Sequence, residues 1–379
     1  MKDIDGTIRP EVDPGGLAEF SVVFTDRSLN SMSARFQEVM RDLSSGLREA
    51  YGAQAVAIVP GGGTFAMEAV ARSLAHGKRA FVVRNGWFSY RWSQILEATG
   101  GAADVQVVMA QPVDIAYAPP PIDETCAAIR AVRPGVVFAL HVETSAGLIL
   151  PDAYVARLSE AAHEVGALMV LDCIASGCAW VDMGRLGVDV LISAPQKGWS
   201  STPCAGLVMM SEAAEARVKA SKADSFAVDL AKWRAIMEAY EAGGHAYHAT
   251  MPTDGLRQFR DAMLETRAFG YAEAMDAQWR LGDAVRAALK ARGVRSVAAD
   301  GYGAPGVVVS YTDDAAVKSG RAFAEHGTQI AAGVPLMVGE PEGFSTFRIG
   351  LFGLDKLRDV DVTLARLTPV LDGVLGEAV

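Results

Sequence analysis

The chain has 379 residues, half of them hydrophobic, with a formal net charge of −10 and four cysteines. Single hydrophobic cores stop growing near ~250–300 residues, so this length predicts more than one domain. The acidic balance and the lack of any dense Lys/Arg cluster argue against nucleic acid or an anionic membrane surface as partner and leave small molecules. The opening Met1-Lys2-Asp3-Ile4-Asp5 lacks the basic-then-apolar pattern of a signal peptide. No run of about 18 apolar residues occurs either, so a cytoplasmic protein is expected.

In chain order, a helix is predicted over 33–51, a strand over 55–59, a Gly-rich turn and then a helix over 64–74. A strand at 80–83, a helix at 87–98 and a strand at 105–109 follow. The Pro-rich Ala118-Pro119-Pro120-Pro121 is a connector, leading to a helix at 123–132 and a strand at 136–141. Next come a helix at 153–165 and strands at 168–172, 188–193 and 205–210. Helices at 212–221 and 229–243 end at Gly243-Gly244, and one long helix is predicted from 255 to about 292. Two strands, 307–311 and 346–351, and terminal helices complete the chain.

Strand and helix runs alternate in the first half, which predicts a doubly wound α/β unit with a seven-stranded, mostly parallel sheet over 33–255. It follows an N-terminal segment, 1–32, and precedes a smaller α+β unit, 256–379.

The four cysteines, Cys126, Cys173, Cys178 and Cys204, show no CxxC spacing and sit mostly in apolar stretches, as reduced core thiols do. His141-Val142-Glu143 with Pro203-Cys204 is reminiscent of a zinc deaminase, but that site needs a further cysteine where Leu207 stands, so the metal reading fails on ligand count.

In an open parallel sheet, ligands bind beyond the carboxyl ends of the strands. Six sites stand out there and beyond. Ser193-Ala194-Pro195-Gln196-Lys197-Gly198 lies between two buried-strand patterns, where desolvation would lower the Lys197 pKa and favour a free amine able to attack a carbonyl. A surface hairpin lysine is the plainer alternative. Pro60-Gly61-Gly62-Gly63-Thr64 ahead of a helix has anion-binding character, though it matches no nucleotide motif and a tight turn also explains it. Asp172 ends an apolar run, where a carboxylate needs a cation, such as a protonated pyridine, unless it caps the next segment. Phe88 is placed either to stack on a planar group or to fill the core. Hydroxyls in His141-Val142-Glu143-Thr144-Ser145 suit a phenolic oxygen or an ordinary turn. Arg348, inside an apolar strand, awaits an anion: a substrate carboxylate or an intramolecular partner.

These residues resemble the class V aminotransferases, of pyridoxal 5'-phosphate (PLP)-dependent transferase fold type I, closest to the alanine–glyoxylate and serine–glyoxylate aminotransferase group. The likeness rests on Gly61-Gly62-Gly63-Thr64 with Met67-Glu68-Ala69, Asn85-Gly86 with Phe88 and Arg91, His141 to Gly147, Asp172, Gln196-Lys197, Tyr247-His248-Ala249-Thr250 and Phe347-Arg348-Ile349-Gly350. It implies that Lys197 carries the cofactor covalently, that Asp172 pairs with the pyridine nitrogen, that Phe88 stacks on the ring and that Thr144 lies by the phenolic oxygen. It also implies phosphate contacts from Gly62, Gly63, Thr64 and Gln196, completed by Tyr247 and Thr250 from the other subunit of a homodimer, and a substrate carboxylate on Arg348.

Two departures stand out. The family's Pro-Gly-Pro and His-Arg-Ser segments are replaced by Phe24-Thr25-Asp26-Arg27-Ser28-Leu29-Asn30-Ser31-Met32, and Ala194-Pro195 stands where Gly-Ser is common. The expected activity is transfer of an amino group from an alanine- or serine-like amino acid to a 2-oxo acid such as glyoxylate or pyruvate. The alternatives are a lyase on the same scaffold, an aminophosphonate transaminase using Arg27, and a scaffold that binds PLP without turnover.

Overall fold

Strands covered on both faces read as unbroken apolar runs, and such runs form the centre of a seven-stranded sheet. The computed structural model describes residues 12–378; the opening residues 1–5 lie outside them. The strands are β1 (Ala55–Pro60), β2 (Arg79–Arg84), β3 (Asp104–Met109), β4 (Val136–Leu140), β5 (Leu168–Asp172), β6 (Val190–Ser193) and β7 (Ala205–Met210). Their spatial order is β1-β7-β6-β5-β4-β2-β3. β7 runs antiparallel to both neighbours and every other pairing from β6 to β3 is parallel. Strand β3 lies at the edge, and its alternation of exposed and half-buried residues reflects that position.

The parallel direction has one consequence for function. The carboxyl ends of β1, β2, β4, β5 and β6 all emerge at one edge of the sheet, and the β6–β7 hairpin turns there too.

Helices cover both faces. Helix α1 (Ala34–Tyr51) starts at Ser33, whose hydroxyl accepts the Phe36 N–H at 3.1 Å, and buries Phe36, Val39, Met40, Leu43 and Leu47 at helical spacing. Helix α2 (Gly63–Leu74) follows β1, and α3 (Trp87–Thr99) follows β2. Trp92 of α3 stacks on Phe138 of β4, ring centroids 4.3 Å apart, which fixes that helix against the sheet.

The predicted long helix is two: α4 (Thr253–Phe269) and α5 (Tyr271–Lys290). Gly270 between them has φ +106°, a conformation that only glycine adopts without strain, so the break is written into that residue. Met263 of α4 belongs to the core under the large sheet, whereas Ala274 of α5 packs in a second core with Phe323, Phe347 and Leu371.

The C-terminal strands β8 (Val307–Tyr311) and β10 (Thr346–Gly350) pair antiparallel as expected, and a third, β9 (Ala331–Ala332), pairs with β10. Two exposed alanines carry no strand signature, so the sequence pattern does not reveal β9. Nor does it reveal a short hairpin, Gln111–Val113 with Ala116–Ala118. No helix among the described residues is long and apolar enough to cross a membrane. The four cysteines are buried and unbridged.

Candidate active site

At the carboxyl edge of the sheet lies a cleft of about 220 Å³ that gathers Gly63, Thr64, Phe88, Thr144, Asp172, Gln196 and Lys197. They come from five separate strand ends, so the sheet topology alone assembles them. Larger hollows exist, of about 930 Å³ beside residues 13–41 and about 730 Å³ beside Tyr117 and Tyr311, but neither places a lysine against a buried carboxylate. Chemistry, not volume, identifies the site.

Lys197 sits on the β6–β7 hairpin and its position is rigidly set. A Cβ on the next residue, Gly198, would lie 2.2 Å from the Gly177 carbonyl oxygen, so only glycine lets the two loops touch. Trp199 is fully buried among Tyr51, Trp180, Tyr271 and Phe259. The ammonium has no hydrogen-bond or ion-pair partner among the described residues, and Nζ lies 5.4 Å from the centre of the Phe352 ring. Burial lowers the Lys197 pKa, as does the positive charge of Arg348 and of Arg91, and Asp172 opposes them. The lysine is a half-buried amine biased toward its free form, not a surface hairpin residue.

Asp172 ends β5 and is 4% exposed. Its only hydrogen bond among the described residues comes from the Ile174 N–H, 2.9 Å from Oδ1. Burial pushes its pKa up to about 7, with Glu143 adding to the rise and Ile174, Arg91 and Lys197 opposing it. This carboxylate is buried ahead of a cation that the chain itself does not place in contact with it.

The Gly-rich turn does three different jobs. Gly61 has φ +120°, and a Cβ on Gly63 would lie 2.5 Å from Ile174 Cδ1, so Gly61 makes the bend and Gly63 lets α2 approach β5. Gly62 is extended and open, next to the cleft rather than lining it. The result is that the first turn of α2, with Gly63 and Thr64, borders the cleft, the end of a helix where N–H groups lack intrahelical partners.

Helix α3 carries Phe88 and is anchored by a residue whose role the sequence did not expose. Glu143, 1% exposed, accepts from the Phe88 and Ser89 N–H groups at 3.1 and 2.9 Å, and from the Ser145 N–H and hydroxyl at 3.2 and 2.6 Å. A carboxylate against the first N–H groups of a helix also meets the positive end of its dipole. Glu143→Gln replaces one acceptor oxygen by an amide that faces N–H donors, and is expected to cost about 3 kcal/mol. Urea denaturation checks this; an unchanged midpoint would show that the clamp carries no stability.

Arg348 lies in β10 and its Nε donates to the Ala332 carbonyl at 2.8 Å. No carboxylate among the described residues lies within ion-pair distance, so the alternative of an intramolecular pair is not met, and Cζ sits 5.7 Å from the centre of the Phe88 ring. Arg348 therefore faces the cleft from the small sheet. Tyr247 and Thr250 are not brought there: both are exposed, with 3.3 Å between the two hydroxyls. Arg27 is exposed and outside the cleft as well.

Arg91 and Phe352 also border the site. Arg91 follows Phe88 by three positions on one helix, a spacing that puts both on one face and was legible in the sequence. Phe352 stands two residues beyond the end of the Arg348 strand.

Comparison with known proteins agrees with this geometry. The chain is 27% identical over 345 residues to a protein named soluble hydrogenase, small subunit, of Synechococcus sp. (strain PCC 6716), covering 89% of this chain and 86% of that one. It is 28% identical over 339 residues to the 2-aminoethylphosphonate–pyruvate transaminase of Paraburkholderia phymatum, covering 86% of each. Its fold matches the solved alanine–glyoxylate aminotransferase of Nostoc sp. with a TM-score of 0.76 at 23% identity, covering 90% of this chain and 87% of that one. A model of the aminotransferase class-V family matches residues 21–333, a span that contains the lysine, the buried carboxylate and the glycine-rich turn, and the chain belongs to that family of aminotransferases.

Proposed function

We propose that the enzyme uses pyridoxal 5'-phosphate to move an amino group from a small amino acid, alanine- or serine-like, to a 2-oxo acid such as glyoxylate or pyruvate, as a homodimer in the cytoplasm. The observation that carries this reading is the pairing in one cleft of an unpartnered, half-buried lysine with a fully buried carboxylate.

The residues present fit the cofactor. Asp172 has a carboxylate oxygen without a donor for a protonated ring nitrogen to approach, Phe88 offers a flat wall, and the α2 N-terminus with Thr64 and Gln196 offers phosphate contacts. Thr144 supplies a hydroxyl for the ring oxygen. When bound, the cofactor supplies an electron sink that makes the α-proton of an amino acid removable. The chain's own part is then defined. The Lys197 amine takes the α-proton and returns it on the other side of the transferred nitrogen, Asp172 keeps the ring nitrogen protonated, and Arg348 grips the substrate carboxylate and fixes its orientation.

The homodimer is supported by residues that the isolated chain leaves in solvent. Tyr247 is 63% exposed and does not line its own cleft, as expected of a residue that completes a neighbour's phosphate site with Thr250. Leu17, Phe20 and Val22 are almost fully exposed, which a single subunit does not favour.

The test is the absorption spectrum of the purified protein as amino acids are added singly. The visible band of the lysine-bound cofactor is expected to disappear with alanine or serine and to return with glyoxylate or pyruvate. No band after PLP is supplied, or a band that no amine alters, refutes the reading. Arg348→Ala is expected to raise the donor KM about 10²-fold with a smaller change in kcat, because a bidentate contact to the carboxylate is lost. An unchanged KM would remove Arg348 from substrate binding.

A further inference from the structure

We propose that Arg91 is the cation of the phosphate end of the cleft, gripping the cofactor phosphate beside Thr64. This rests on the cofactor reading above and goes beyond it, since the glycine-rich turn and Gln196 provide no positive side chain at that end.

The argument starts from charge. A phosphate monoester carries about −1.5 to −2 charges near neutral pH, whereas a helix N-terminus offers only about half a positive charge. The cationic groups at the cleft are Lys197, Arg348 and Arg91. Lys197 is needed for the chemistry, so two arginines remain for two anionic ends: the substrate carboxylate and the phosphate.

Their partners separate the two roles. Arg348 is tied to the Ala332 carbonyl in the small sheet. Arg91 instead donates from Nη1 to Thr64 Oγ1 at 3.1 Å, in the first turn of α2, whose Gly63 and Thr64 line the cleft. The two guanidiniums lie 5.4 and 5.7 Å from the centre of the same Phe88 ring. A guanidinium has five N–H donors, and among the described residues Arg91 uses one and meets no carboxylate within ion-pair distance. Donors left open beside a threonine hydroxyl and a helix N-terminus make a cradle for a tetrahedral oxyanion.

The placement is also rigid. Arg91 stands one turn beyond the Phe88 and Ser89 N–H groups that Glu143 holds, and Trp92, the next residue, is locked on Phe138. The guanidinium is therefore presented by a clamped helix, not by a mobile surface turn.

The experiment measures PLP affinity of the cofactor-free full-length protein by fluorescence and absorbance titration, with inorganic phosphate as a second probe in thermal unfolding. Arg91→Ala is expected to weaken PLP binding about 10- to 100-fold and to abolish stabilisation by phosphate. Arg91→Lys, which keeps the charge but loses the fork, is expected to fall between, and guards against a folding defect in the alanine variant. Affinity for PLP within twofold of wild type in both variants overturns the proposal. So does a pattern in which only the donor KM rises, which would make Arg91 a substrate residue. Should wild type itself take up no PLP, the cofactor reading and this inference fall together; wild-type uptake with unchanged variants sinks the inference alone.

Discussion

Lys197→Ala is expected to remove transamination by about 10³-fold or more while the protein still folds and still binds phosphate-bearing ligand. The size of the effect follows from the number of roles converging on one nitrogen. Burial and the neighbouring Arg348 and Arg91 charges lower its pKa, so the free amine is available at a lower pH than on a surface lysine. On the proposed reading that amine would serve both as nucleophile toward the cofactor carbonyl and as the base that relocates the substrate proton, and no other base in the cleft lies in the same hairpin. Lys197→Arg keeps a positive charge and should fare no better, since a guanidinium neither attacks a carbonyl nor accepts a proton near neutral pH. Single-turnover conversion of the donor, followed spectroscopically, is the measurement. Turnover within tenfold of wild type in either variant would show that the proton moves through another group.

Much of this site was readable before any fold was known, and the reason is physical. Parallel strands buried on both faces leave unbroken apolar runs, so their ends are marked, and polar residues directly after an end are functional candidates. Asp172 and Lys197 were legible for that reason. What the sequence conceals are relations made only by tertiary closure. Glu143 reads as one polar residue in a turn, yet it holds the start of α3, and nothing local signals that the Phe88 N–H is its partner. Arg348 is ambiguous in sequence, because an arginine in a strand serves an internal ion pair as readily as a ligand; only the absence of a carboxylate within ion-pair distance among the described residues separates the two. Gly270 and Gly282 both interrupt an otherwise helical pattern in the sequence, and only the positive φ of Gly270 makes it the break.

Asp172→Asn gives the second large effect, and it works in opposite directions on activity and on stability. Turnover is expected to fall about 10²–10³-fold, the size of loss seen when one preorganised electrostatic partner is removed from a transition state. The cofactor-free protein, by contrast, is expected to gain stability at neutral and alkaline pH. The sign follows from linkage. The carboxyl's pKa rises from an unfolded value near ~4 to about 7 in the fold, chiefly through burial. Between those values the folded state holds a proton that the unfolded state has released. Stability is therefore highest below pH ~4 with respect to this group and declines as pH rises through about 7, by about 4 kcal/mol at most. Asparagine has no proton to lose, so the variant should lack that decline. Urea unfolding of both cofactor-free proteins from about pH 5 to about pH 8 reads the difference directly, and parallel pH slopes would show that Asp172 is not the group being titrated. In the PLP-loaded enzyme the wild-type slope should flatten, because a ring cation against the carboxylate favours its charged form and draws its pKa back down. That flattening would tie the two effects together: on the proposed reading, the charge that burdens the empty fold is the one that would hold the cofactor nitrogen protonated.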